Sequence, residues 1–410
     1  MSLDLEYIEA LDSKDPLADK AALFHLPEGL TYLDGNSLGA MPLAVPAAVS
    51  KNLEKEWAVD LIDSWNKNDW FIKARAIGDK IAQLIGAASG EVVVGDCVSV
   101  NLFKMIVAGL SVQEGKARIV TELGNFPTNL YVMQGIEAML GDRVELVAVE
   151  RDEVETSIDE NTALVVLTHT HYKTSETWDM AAVTARAQER GALVIWDLCH
   201  SAGIMPLELS KSNVDMAVGC TYKYLNGGPG APAFLYLAER HQGSMQQPIT
   251  GWWGHASPFE FSDQYRPADD IRQLQSGTQS IVALSALEPG IDLTLSVDMQ
   301  EIRKKSQALG RLFIELLAEH CPEVGIASPQ DDDRRGSHVS ILHDDGYAIT
   351  QALKAQGIVV DFRAPDIIRF GFAPLYNSYM DVWRSASTLK DIIDTESWNR
   401  PEYRERATVT

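Results

Sequence analysis

Between residues 92 and 238 the chain repeats one pattern: a short apolar run, a longer stretch, then another apolar run. The runs are VVVGD (92–96), ARIVTEL (117–123), VELVAVE (144–150), TALVVLTHTH (162–171), ALVIWD (192–197), DMAVGCT (215–221) and PAFLYLA (232–238). Their Val, Ile and Leu residues stand mostly side by side and do not alternate with polar ones, so both faces of each strand must be covered. Helical segments fill several of the gaps, over 99–110, 127–140 and 180–190. The fold this dictates is α/β: a mostly parallel, seven-stranded-type sheet sandwiched by helices.

The flanks read differently. Residues 3–24 form an amphipathic helix broken near Pro16, and TYLDGNSLGAMP (31–42) is a short strand entering a glycine turn. A helix from Pro42 and Pro46 through Leu61 and another over 70–87 follow. Residues 280–318 are helical, with a break expected at Pro289–Gly290. The rest resembles a smaller α+β unit, with strands at 336–342 and 367–373 and a helix over 378–394. The expected division is a segment 1–55 contributing to a small domain, a large domain 56–295 and a C-terminal small domain 296–410.

A formal net charge of −23 argues against a nucleic-acid partner, because phosphate backbones select basic surfaces. No apolar run approaches the roughly 18 residues of a membrane-spanning helix, and the acidic N-terminus lacks the pattern of a signal peptide. Four cysteines, none spaced as a metal or redox pair, point to a reducing compartment; the expectation is a cytoplasmic protein without a membrane partner.

The polar residues that punctuate the strands carry the chemistry. Lys223 sits between Tyr222 and Tyr224, after an apolar strand and before a glycine-rich turn (Gly227, Gly228, Gly230). Asp197 ends another strand, with His200 three residues on. A lysine able to form a Schiff base, with an acid to pair with a pyridinium nitrogen, is what pyridoxal phosphate requires. Ser99, at a strand-to-helix junction, suits a phosphate, since helix N-termini offer free N–H groups. His169 and His171 alternate with threonines on one strand face and suggest a metal site, but no third ligand stands close and the lysine would be left unexplained. No metal is expected.

Together, LDGNSLG (33–39), NFPTN (125–129), HYKTS (171–175), WDLCHSAG (196–203), CTYKYLNGGPG (220–230), GWWGH (251–255), SGTQS (276–280) and APLYNS (373–378) resemble the kynureninase family. Those enzymes use pyridoxal phosphate on the aspartate-aminotransferase-like fold (fold type I). The resemblance spans nearly the whole chain and implies hydrolysis of L-kynurenine to anthranilate and L-alanine within a homodimer. It implies that Lys223 holds the cofactor, Asp197 pairs with the ring nitrogen with His200 beside it, and Phe126 stacks on the ring. Val98, Ser99, Thr168 and Tyr222 would surround the phosphate, and Asn129 would lie near the ring. Trp252 and Thr278 would reach in from the neighbouring subunit. Arg369, with Asn36 and Ser37, would take the substrate, and Trp65 with Gly277 and Thr278 would wall its aryl group. Tyr222 is the acid–base candidate beside Lys223.

Two positions depart from the family pattern: Asn129 stands where Asp is usual, and Ser175 where Gly is usual. The nearest alternative, a cysteine desulfurase or selenocysteine lyase of the same fold, needs a catalytic cysteine on a mobile C-terminal loop. Cys321, the one cysteine after Lys223, lies at a helix end.

Overall fold

The computed structural model describes residues 3–406. The seven apolar runs form one sheet from Val92–Val94 (β1), Arg118–Glu122 (β2), Glu145–Val149 (β3), Thr162–Thr168 (β4), Leu193–Asp197 (β5), Met216–Gly219 (β6) and Phe234–Leu237 (β7). The order across the sheet is β1-β7-β6-β5-β4-β2-β3. All recorded pairings are parallel except those of β7, which runs antiparallel to both β1 and β6. β4 is buried at every position, which is why its sequence shows no alternation.

The helical region after residue 280 breaks at a different place from the one expected. Helix Ile281–Leu295 runs straight through Pro289, and the interruption falls at residues 296–298, before helix Met299–His320. Asp298 caps that second helix by accepting from the Gln300 N–H. Gly290 serves packing: a Cβ there would lie 2.4 Å from the Leu225 carbonyl, so its absence lets the helix press against the lysine loop. The helix begun at Val45 also changes character, widening to a π-helical turn over Asn52–Trp57.

A second sheet, fully antiparallel, orders Gly325–Ile326, His338–Leu342, Ile367–Gly371 and Asp361–Arg363. Two apolar cores result. The larger surrounds the seven-stranded sheet and takes in Leu17, Phe24 and Ala40 from the N-terminal segment. The smaller joins the second sheet to helices Met299–His320 and Tyr379–Asp394, and takes Ile8 and Leu33. The N-terminal segment is thus shared between the two. Among the described residues no helix is long and apolar enough to cross a membrane.

Candidate active site

Ligands of open α/β sheets sit beyond the carboxyl ends of the strands, and the polar strand ends converge there. β6 stops at Gly219 and the chain turns sharply, with Gly227 N–H donating to the Thr221 carbonyl and the Thr221 hydroxyl to the Pro232 carbonyl. Gly39 is pressed so closely beneath this turn that a Cβ would stand 2.2 Å from the Lys223 carbonyl, and its N–H donates to the Tyr222 carbonyl. The turn is therefore clamped between the Gly39 loop and the helix at Gly290. Lys223 projects from it, with Nζ 3.0 Å from His200 Nε2 and 5.9 Å from the ring centres of both Phe126 and Tyr222.

Burial and the neighbouring Lys223 push the His200 imidazole well below its usual pKa, so the ring is neutral. Tyr222 is pushed in the opposite direction, upward, by burial and the nearby Cys220 and Cys199. It is a proton-bearing phenol, equipped to donate.

Asp197 is held from two sides. Its Oδ1 accepts from the Cys199 N–H and its Oδ2 from the Asn129 amide, each at 2.8 Å. Asn129 also lies 3.1 Å from the Thr168 hydroxyl, which donates to Asn125 at 2.6 Å. Asp197, Cys199, Asn129 and Thr168 line one cavity of about 140 Å3, with Val98, Ser99, Phe126, Tyr222, Lys223 and His200 on its wall.

The start of helix Val98–Leu110 faces the same cavity, and its N-cap, Cys97, gives no side-chain hydrogen bond. Its first N–H groups are therefore available to an anion. The preceding turn is pinned by buried Lys104, which donates to Asp96 and to the Leu274 carbonyl. A buried amine, a fixed carboxylate and an uncapped helix start in one cavity fit a phosphorylated pyridine aldehyde.

Arg369 stands apart from this wall, 1% exposed. Its guanidinium donates to both oxygens of Asp361, to Ser37 Oγ and to the Tyr172 carbonyl. Asn36 is fully buried beside Gly371, with neither amide atom partnered. Asp34, in the same cluster, has its carboxyl pushed up to about 7, chiefly by burial and then by Asp361.

Trp65, Trp252, Gly277 and Thr278 lie elsewhere again. Trp65 packs on Trp70 and Trp253, and Trp252 on Trp253 and Phe259. Gly277 and Thr278 are exposed. A single chain thus brings nine of the predicted site residues together in the cavity and leaves these four outside it, Trp65 and Trp252 within an aromatic cluster.

The THTH histidines do not converge. His169 Nδ1 is 2.8 Å from Ser201 Oγ, and His171 Nε2 is 3.0 Å from the Gly124 carbonyl. Burial pushes both down to about 4. Ser175 adopts φ +67°, the left-handed region that favours glycine, with its buried hydroxyl unpartnered.

A family model described as the kynureninase C-terminal domain matches residues 302–389. Kynureninase from Burkholderia pseudomallei is 45% identical over 408 residues, covering 98% of each chain. Kynureninase from Pseudomonas fluorescens is 44% identical with the same coverage. The chain belongs to the kynureninase family. Among solved structures, the Escherichia coli cysteine desulfurase CsdA superposes with a TM-score of 0.77 at 18% identity, over 92% of this chain and 98% of that one. The cystine C-S lyase C-DES gives 0.72 at 18% identity, over 89% and 98%. These distant likenesses establish the PLP fold type I architecture. The alternative they raise lacks its cysteine: Cys321 is buried at the end of helix Met299–His320, its thiol pushed up to about 11 by burial.

Sequence reasoning missed several residues of this kynureninase-family cavity: Cys97, Thr128, Tyr172, Cys199, Ala231 and Ala233. Tyr172 stacks edge-on against Phe126 at 5.2 Å, and lay within the HYKTS motif without being singled out. The alanines carry no chemical signal; only their position in space marks them.

Proposed function

We propose that this chain is a pyridoxal-phosphate-dependent hydrolase that cleaves L-kynurenine to anthranilate and L-alanine, a step of tryptophan catabolism. The observation that carries the reading is the Lys223–His200–Asp197–Asn129 constellation in one cavity of a kynureninase-family chain. The cofactor, once bound, supplies an electron sink for the substrate's α-carbon.

The chain's own residues supply the rest. Lys223 Nζ, next to a neutral imidazole, has an acceptor at hand and would take and return the α-proton. Asp197, gripped at both oxygens, would face the ring nitrogen without reorienting. The helix start at Val98 and Ser99 would hold the phosphate, with the Tyr222 phenol as a donor to it or to the substrate carbonyl. Phe126 would cover the ring face. Arg369, aimed by Asp361 and Ser37, would meet the substrate carboxylate through the Nη1 N–H not directed at Tyr172.

The aromatic face belongs to the same reading. Trp252 is 41% and Phe259 63% exposed, unusual for large aromatics clustered together. A second copy covering this face would place Trp252 and Thr278 at its partner's phosphate. Trp65 and Gly277 would then confine an aryl ring, and the enzyme would be a cytoplasmic homodimer.

The test is fluorescence of released anthranilate with kynurenine and 3-hydroxykynurenine as substrates, alongside the visible band of the bound cofactor. Lys223→Ala is expected to lose the band and at least about 10³-fold in turnover. Turnover at the parent rate in that variant would remove Lys223 from the mechanism.

A further inference from the structure

Asn129 is fully buried at the start of helix Pro127–Leu140, and its amide sits at the centre of a hydrogen-bond network whose direction can be worked out. Asn125 Oδ1 already accepts from the Thr168 hydroxyl at 2.6 Å and from the Phe126 N–H at 2.7 Å. It is therefore an acceptor, and the atom of Asn129 lying 3.3 Å from it must be the NH2 end. The same nitrogen meets Asp197 Oδ2 at 2.8 Å, where an amide oxygen would repel the carboxylate. Asn129 Oδ1 consequently faces the other way, buried and without a partner.

We propose that Asn129 is a positioning residue: an uncharged donor that fixes the Asp197 carboxylate toward the cofactor's ring nitrogen and frees that contact from pH. The inference rests on the cofactor reading above. An amide at this spot donates a hydrogen bond at every accessible pH. A carboxyl in its place would set two acidic oxygens about 2.8 Å apart, and such a pair cannot both ionise. Either the new group keeps a proton or Asp197 does, and the contact to the ring then titrates. The titratable groups facing Asp197 are Cys199 and His200 on the turn after it, and Cys220, Tyr222 and Lys223 on the loop after β6. The helix carrying Asn129 contributes none to this wall beyond the position itself.

The experiment compares the full-length, cofactor-bound parent with Asn129→Asp and Asn129→Ser, measuring thermal midpoint and visible band from pH 5.5 to 8.5. In Asn129→Asp the folded pair retains a proton that the unfolded chain has released, so stability must fall as pH rises. The midpoint gap to the parent is expected to widen by about 3 °C or more across the range, with a new titration in the visible band. Asn129→Ser, neutral throughout, is expected to show a constant gap and to release pyridoxal phosphate about tenfold more readily. Parallel curves for parent and Asn129→Asp would overturn the proposal. So would Asn129→Ser retaining the cofactor as tightly as the parent, the deciding measurement where the Asp variant does not fold. A parent with no visible band and no uptake of pyridoxal phosphate would instead sink the cofactor reading, while the midpoint comparison would still stand.

Discussion

The Lys223 cavity and the aromatic face around Trp252 are built on opposite terms. At the cavity and in the neighbouring arginine cluster the charged groups that matter most have partners within one chain: Asp197 is held at both oxygens, and Arg369 by Asp361, Ser37 and Tyr172. The aromatic face is packed chiefly ring against ring, and Trp252, Phe259 and Phe261 remain open to solvent. Chemistry that must hold a charge to within tenths of an ångström is completed by one chain. In the homodimer proposed above, a wall that need only exclude water and confine an aryl ring would be left for a second copy to complete.

That contrast can be broken at its strongest point first. Asp361→Asn would leave the buried Arg369 guanidinium without its counter-charge. The expected cost is about 3–5 kcal/mol, read as a lower denaturation midpoint, together with a raised KM. An unchanged midpoint would mean that the pair is not what holds this region.

Asp34 sharpens the same point through pH. Its carboxyl titrates at about 7 in the folded chain and near the usual 3.8 when unfolded. The folded state therefore binds the extra proton, and stability falls as pH rises between those values, by about 4 kcal/mol in all. Asp34→Asn should flatten that slope in denaturation curves taken from pH 4 to 8.

On the aromatic face, Trp252→Ala should leave the fold of a single chain nearly intact. It should weaken self-association by about 2 kcal/mol, a loss of about 30-fold in dissociation constant, seen by sedimentation. A parent that sediments as a monomer at micromolar concentration would end the comparison as drawn. The smallest effect belongs to Ser175. Glycine there relieves a left-handed backbone and removes an unpartnered hydroxyl, so Ser175→Gly should gain about 1 kcal/mol in thermal unfolding.

Much of this was legible in the residues. Unbroken Val/Ile/Leu runs could only be strands covered on both faces, and the seven runs became the seven strands. Lys223, Asp197, Thr168 and Ser99 stood at strand ends, where topology collects them. Pro289 misled because a proline costs a helix one N–H, and packing against the lysine loop outweighs that loss. The alanines of the cavity and Tyr172 were missed because nothing local distinguishes a wall residue from a filler.

The sequence by itself determined the layered α/β architecture and the residue types the chemistry needs, because both follow from local pattern and strand periodicity. It also showed that position 129 is an amide and position 175 a serine. Only the tertiary structure decided what those substitutions do. The direction of the Asn129 amide depends on Asn125, Thr168 and Asp197, which arrive from three other elements. The strain at Ser175 depends on a backbone angle set by the turn around it. Hydrogen-bond direction and backbone strain belong to the assembled surroundings, which no stretch of neighbouring residues specifies alone.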